Sequence, residues 1–591
     1  MEQEPILIRK FDGGWNTEDA SDELSPNESP DMNNARYIKG GAITKEPGMD
    51  QLGSDDNVEV ISKLIKASNR NGSNYLFKFS GTKLKLYDSV NKVWSAIKTG
   101  LTAGQKWGDD TFNNILILTS QIDTALSMDL GKISRLDGAI SAGATTISLI
   151  DASQFDSSGD VFINSVLVSY TGKSGNDLTG CSNAVDTPDS YIVTQALSSE
   201  SGIPKGNMCL NFGGRLIVAG VLTSGGATIY GSKATDRTDF TISGGGAAND
   251  AFAEALTSKI NAIRVFYDDS LNERIMVFLA SNNIYNIEVV DDTTLGTLVT
   301  SRFFKGSVTA LNHFSTIVGQ NDIFHIDLDN QVRTLGPRTD DGSGRNFSDS
   351  ISRKHKTLFR DKYNFDDAAG AIVNNEFWCI CKEDNDNYND RIIIFDQTKG
   401  AWRKRTGLML SDIIEFDNKI TVADSVQNKV YQINELSKSN DNLPIYFKYS
   451  TLDIDRSPLI FERVKGLKIS GIISSNCNFT VKVYRDFSSI LLGEFTISGG
   501  NNNIIGSILG SSGSFGNVAF GDMEFGGSED EDKKFFMAQL LLGSLPDLEN
   551  FRVVIENNQQ GVYLEISKLK PLIFIQKEEY FPSKYNLQNN N

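Results

Sequence analysis

Between residues 57 and 437 this chain repeats one theme seven times: an apolar strand, a tight turn, a second strand, another turn, and a third strand that often closes on an aromatic. The first unit holds Tyr75-Leu76-Phe77-Lys78-Phe79, Leu84-Lys85-Leu86-Tyr87-Asp88 and Val93-Trp94. The second runs Ile115-Leu116-Ile117-Leu118, Leu126-Ser127-Met128 and Ile133-Ser134. Later units centre on Arg215–Ala219, Arg274–Leu279, Ile323–Ile326, Phe377–Ile380 with Ile392–Asp396, and Ile420–Val422 with Val430–Ile433. A few strands recurring at a period of roughly 40–50 residues are the signature of propeller blades. Each small sheet is too small to be stable alone and buries its faces against its neighbours. The pattern predicts an all-β fold built on a β-propeller; a string of β-sandwiches is the alternative.

Residues 137–198 break the theme. Their compact strands, Thr145–Leu149, Val161–Ile163 and Val166–Tyr170, are joined by Ser, Gly and Asp turns and read as a small β-module inserted at a loop tip. Two stretches read as helical: 249–263, with Phe252, Leu256 and Ile260 four apart, and the basic run 348–359 carrying Arg353, Lys354, His355 and Lys356. The basic run fits a solvated face or a subunit contact. Beyond residue 440 clean alternation, as in Phe479–Tyr484, Phe551–Ile555 and Val562–Ile566, predicts a half-buried antiparallel sandwich. Residues 1–50 are polar and turn-rich and must take their order from whatever they lie on. The expected organisation is an arm at 1–56, a discontinuous propeller at 57–136 and 199–437, the module at 137–198, a C-terminal sandwich-like domain at 438–580, and a flexible tail at 581–591.

No motif carries chemistry, so catalytic, cofactor-binding and metal-binding residues are each expected to be none. The three histidines, His313, His325 and His355, lack metal spacing, and no Walker loop, nucleophile elbow or zincin motif occurs. Gly244-Gly245-Gly246 lacks the strand-to-helix context of a phosphate cradle. Glu529-Asp530-Glu531-Asp532 lacks the ligand order of a calcium loop and reads first as an exposed charge run. Five widely spaced cysteines are no disulfide framework. Cys379 and Cys381 face one side of a strand as buried thiols, with a metal pair the alternative. The net charge of −18 disfavours sequence-independent nucleic-acid binding, which needs basic side chains, yet suits a surface that DNA passes without sticking; the same charge also simply keeps a protein soluble. Met1–Pro5 lacks the regions of a signal peptide, and no apolar run reaches the ~18 residues of a membrane helix, which predicts a chain that stays in the cytoplasm until assembled.

The arm reads Phe11-Asp12-Gly13-Gly14, Leu24-Ser25-Pro26-Asn27-Glu28-Ser29-Pro30-Asp31, Asn33-Asn34, Gly41-Ala42-Ile43 and Pro47-Gly48. It resembles the opening of phage tail tubular (nozzle) and head-to-tail proteins of the DNA-stabilisation type, although Lys45-Glu46 stands where Arg is usual before Pro-Gly. Ile394-Phe395-Asp396 followed by Gly400-Ala401-Trp402 is similar to a blade of the same proteins. The stretch 142–181 resembles a small β-module of virion proteins, and the Phe-Gly repeats at 515–526 resemble Gly-rich segments of related tail subunits. The resemblance implies a non-enzymatic structural subunit of the virion tail, assembled in the host cytoplasm. It further implies a hexameric ring whose partners are portal, adaptor and other tail proteins, with tail fibres as further contacts. Double-stranded DNA would pass through without specific binding.

Two other readings compete. A carbohydrate- or receptor-binding tail protein would show surface aromatics on the module, with Tyr170 and Tyr191 the best candidates and Phe155 and Phe162 assigned to its core. A propeller glycosidase would need paired carboxylates converging on a central pocket. On the structural reading, the Gly/Asn-rich stretch 499–533 is the expected gate of a neutral-to-acidic channel.

Overall fold

The computed structural model describes residues 8–38, 40–55, 59–234, 236–242, 250–267, 273–281, 283–289, 298–304, 309–320, 322–336, 346–347, 350–384, 386–455, 462–485, 490–499, 504–508, 533–541 and 550–575. Two compact units emerge: residues 47–400 with 404–443, and residues 1–46 with 401–403 and 444–591. No helix among the described residues is long and apolar enough to cross a membrane.

The first unit is a β-propeller, with seven blades among the described residues. Blade 1 is the antiparallel meander Ile61–Ser68, Asn74–Ser80, Lys83–Asp88 and Val93–Lys98. Blade 2 takes Gly108–Phe112, Ile115–Thr119, Ala125–Asp129 and, after the inserted module, Ser198–Glu200. Blades 3, 4 and 5 begin at Met208–Phe212, Ile260–Tyr267 and Ile317–Val318. Blade 6 begins at Gly370–Val373 and is continuous with blade 7 through the long strand Ala401–Phe416. The first strands of blades 1 to 6 lie side by side in order, and that of blade 6 lies beside Lys419–Asp424 of blade 7.

Alternation inside single strands shows why the ring holds. In Ile115–Thr119, Leu116 and Leu118 enter a core shared with Phe77 and Phe79 of blade 1, while Ile117 enters one shared with Cys209 and Leu216 of blade 3. In Glu273–Leu279, Ile275 and Val277 face blade 3 and Met276 and Phe278 face blade 5. A strand buried on both faces reads as a continuous apolar run, which is how these appear in the sequence. The ring closes where Ile61, Leu64 and Leu76 of blade 1 pack on Phe416, Ala423 and Val430 of blade 7.

Blade 7 is completed from the far end of the chain. Its outer strand is Gly48–Gln51, paired antiparallel with Val430–Asn434 from Tyr431↔Gln51 to Asn434↔Gly48. Met49 is fully buried there. A Cβ on Gly48 would stand 2.2 Å from Ser439 O, so only glycine fits.

The module fills the connection between the third and fourth strands of blade 2. It has a four-stranded sheet of Ile133–Arg135, Ile192–Gln195, Gly159–Ile163 and Val166–Tyr170, and a three-stranded sheet of Thr146–Ser148, Asp177–Thr179 and Gly172–Ser174. Its own core includes Leu136, Ile147, Val161, Val168 and Leu178. It begins earlier than position 137, because Ile133–Arg135 pairs with Ile192–Gln195 rather than with blade 2. It also docks on blade 1. Phe162, Ile192 and Leu197 join the core of blades 1 and 2, Arg135 meets Asp88 at 2.8 Å, and Ala96 N donates to Ser165 Oγ at 2.9 Å.

The helix expected over 249–263 is instead two strands, Phe252–Ala255 and Ile260–Tyr267, the last of blade 3 and the first of blade 4. Residues four apart on a helix are also what a short strand, a turn and a new strand supply, and tertiary pairing decided between them. The basic run forms a 3-10 turn, Arg353–His355, and a short helix, Lys356–Lys362.

The second unit is a β-sandwich. One sheet orders Met32–Asn33, Phe447–Ser450, Asn550–Asn557, Asn478–Arg485, Leu491–Ser498 and Ile504–Ile508, with Ile454–Asp455 also on Asn550–Asn557. The other orders Ala35–Tyr37, Ile43–Lys45, Leu564–Ile575, Glu462–Ser474 and Lys533–Leu541. Phe479 of the first meets Phe536 of the second at 5.4 Å. The N-terminal segment therefore supplies edge strands to both sheets, and Phe11 packs edge-on against Tyr449 at 5.3 Å.

Candidate functional site

The first strands of a propeller line its axis, and here they carry charge. Lys63 Nζ lies 3.3 Å from Asp412 and 4.9 Å from the Phe314 ring centroid. Asp412 is fully buried and also accepts from Leu64 N at 2.7 Å. Lys106 Nζ donates to Ser411 O at 2.9 Å. Arg264 lies against His313, its Nη1 2.8 Å from Nδ1 and 2.7 Å from Nε2, and it donates to Ile263 O at 3.0 Å.

Burial dominates the electrostatics of this cluster. It pushes the Asp109 carboxyl up, against the pull of Lys63, and brings the Lys106 ammonium down despite Asp412. Burial, then Arg264 and Lys63, holds His313 well below the usual histidine range. The imidazole is therefore neutral near pH 7 and cannot supply a proton there. Lys63, Lys106 and Arg264 face Asp109 and Asp412, so three basic side chains meet two carboxylates at the axis.

At the end of the ring where these strands begin, a cavity of about 410 Å³ opens. Loops of blades 2 to 5 build it: Gln121; Asn207, Gly220 and Leu222; Lys259 and Asn261; Leu311 to Phe314. The Gly225-Gly226 turn, with φ of 65° and 74°, lets the chain fold back under the rim, where Gly226 lies against the Lys259 stem. Gln121 Nε2 donates to Gly220 O at 2.7 Å, Asn261 Nδ2 to Ala310 O at 2.9 Å, and Asn312 Nδ2 to Phe365 O at 3.1 Å. Their amide groups are thus held in fixed orientations. Sequence reading passed over this site, because its polar residues come from loops of four blades that only ring closure brings together.

Of the residues weighed from sequence, His313 lines this cavity and the others fall elsewhere. His325 is buried within a strand and brought down to about 3, first by burial and then by Arg333. His355 is buried and stacks on Phe359 at 5.2 Å. Cys379 and Cys381 are buried free thiols, both pushed up by burial, and no group of three metal-ligating side chains occurs among the described residues. Tyr170, expected on the module surface, is buried at 2% exposure with its hydroxyl on Asp156 O and Gln195. Alternation placed it on the face that the module's second sheet covers. Tyr191 is half-buried against the module core, and Phe155 lies within it. Phe162 is also buried, but in the interface with blade 1. Glu529–Asp532 and most of 499–533 lie outside the described residues.

Neither a family model nor a curated protein matches this chain. Among solved structures it is similar to YCF48 from Cyanidioschyzon merolae, at 10% identity over 66% of this chain and 98% of that one, with a TM-score of 0.34. It is also similar to the C-terminal WD40 domain of Sif2, at 10% identity over 73% and 99% of the two chains and a TM-score of 0.31. The computationally designed Ika8 protein matches at 11% identity over 65% and 99%, with a TM-score of 0.33. The class of protein, an all-β propeller with an inserted module and a sandwich, rests on the sheet order and interfaces of this chain itself.

Proposed function

We propose that this chain is a structural, non-enzymatic subunit of a bacteriophage tail, of the nozzle or tail-tube type, in which a ring of copies surrounds the path of genome ejection. The observation that carries the reading is the placement of the arm motif. Phe11 is buried on Tyr449, and a Cβ on Gly14 would stand 2.8 Å from Trp402 O. Gly48 begins the strand that completes the propeller. The residues that carry the resemblance thus serve architecture rather than chemistry. The net charge of −18 agrees with a wall that DNA passes without adhering. On this reading the partners are five further copies, portal and adaptor, other tail proteins and tail fibres. Mass measurement and imaging of the purified protein, alone and with portal and adaptor, test it. A six-fold ring or a complex supports the reading; a protein that stays monomeric under both conditions overturns it.

A carbohydrate-recognition role is favoured by a separate observation, the amide-lined cavity at the end of the propeller axis. Loss of Tyr170 from the module surface moves that reading away from the insert and onto the propeller.

A further inference from the structure

We infer that the cavity bounded by blades 2 to 5 is a binding site for a small acidic sugar, a monosaccharide carrying one carboxylate. The inference rests on the carbohydrate reading of the cavity and is independent of the tail reading.

Size comes first. At about 410 Å³ the cavity falls at the lower end of the ~300–1,000 Å³ typical of small-ligand sites, room for one or two sugar rings. Its walls then set the chemistry. Gln121 and Asn261 each commit one amide N–H to the protein, at Gly220 O and Ala310 O, which leaves a second N–H and a carbonyl oxygen on each. Carboxamides fixed in this way can both donate and accept, which suits hydroxyl groups that do the same.

Charge narrows the class. Lys259 is exposed at the rim, and its ammonium has no hydrogen-bond or ion-pair partner among the described residues. None of the lining residues is acidic, in a chain where Asp and Glu total 75. One free ammonium above a floor of neutral amides matches one carboxylate on a polyhydroxylated ring. A phosphate would ask for more cations or a nest of backbone N–H groups. Leu222, Leu311 and Phe314 offer apolar surface for the C–H face of the ring.

The test uses the full-length protein with glucuronate, glucose and acetate as probes, read by calorimetry and saturation-transfer NMR. Glucuronate is expected to bind at least about tenfold more tightly than either glucose or acetate. Lys259→Met should weaken glucuronate about tenfold while leaving glucose unchanged, and Gln121→Ala should weaken both sugars. Lys259 is exposed and Gln121 half-buried at the rim, so both variants should fold, which an unchanged melting temperature verifies. Equal binding of glucose and glucuronate overturns the acidic class but leaves the carbohydrate reading standing. Failure of both sugars to bind overturns the carbohydrate reading as well. Binding of acetate as tight as that of glucuronate reduces the site to a bare anion contact and overturns the sugar.

Discussion

Glu46 and Arg403 form an ion pair at 2.6 Å in which both side chains are essentially inaccessible to water, at 0% and 1% exposure. Glu46 is one of the two residues at which the arm departs from the phage-tail pattern it resembles, so the departure falls on a buried charge. Removing one partner takes from the other its close buried counter-charge, at a cost of about 3–5 kcal/mol, whereas replacing both with apolar residues of similar volume is close to neutral. Glu46→Leu and Arg403→Met should therefore each lower the urea midpoint sharply. The double variant should recover most of the loss. Additive losses in the double variant would show that the pair itself is not the unit of stability.

Met49 is the apolar anchor of the strand that completes blade 7, opposite Ile433 and in the core with Trp378, Ile394 and Tyr431. Met49→Ala should cost about 2–5 kcal/mol. Hydrogen exchange should quicken first along Val430–Asn434, the strand that loses its neighbour. Uniform quickening over all seven blades would mean that the ring opens as one unit.

Stability should rise with pH between about 8 and 9.5. Burial brings the Lys45 ammonium down to about 8, while the unfolded chain holds its proton to about 10.5. In that interval the unfolded state binds more protons, so deprotonation favours the native state, with a slope of up to about 1.4 kcal/mol per pH unit. Lys78 is brought down to about 8 in the same way, with Asp55 opposing. Above about 10 the effect reverses, because buried tyrosines such as Tyr449 are pushed up and ionise first in the unfolded chain. Urea midpoints at three pH values measure the slope. Lys45→Met should flatten it and raise stability near pH 7.

The module carries its own core and should fold alone. Residues 130–197 expressed in isolation should give a dispersed amide spectrum. Phe162→Ala in the full chain should cost about 3 kcal/mol, because the ring sits in the interface with blade 1 rather than in the module core. Deleting the module should leave a folded propeller with a lower melting temperature, since Phe77, Phe79 and Leu86 lose part of their cover.

What could be read in the sequence was whatever local pattern dictates. Leu116–Leu118 is apolar at every position because a blade lies on each side, and Phe479–Tyr484 alternates because one face is wet. Closure was hidden, since Gly48–Gln51 offers one apolar residue and its partner lies roughly 380 positions away. The short strands of residues 28–45 are below the length at which periodicity speaks. Nothing local marks Lys63 or Arg264 as buried, and only the ring turns them toward a narrow axis. The cavity was invisible for the same reason.

The strand that completes the propeller is made roughly 380 residues before its partner. At roughly 5–20 residues per second, Gly48–Gln51 waits about 20–80 s for Val430–Asn434 to be made. Throughout that time every blade made so far can pack on its predecessor, but the growing array has two open ends. The strands of residues 32–45 wait longer still, for partners that follow residue 440. A truncated chain, or one stalled in translation, therefore exposes unpaired β-edges at both ends. The propeller edge is covered only once Val430–Asn434 is made, and the edges of residues 32–45 only once their partners after residue 440 are made.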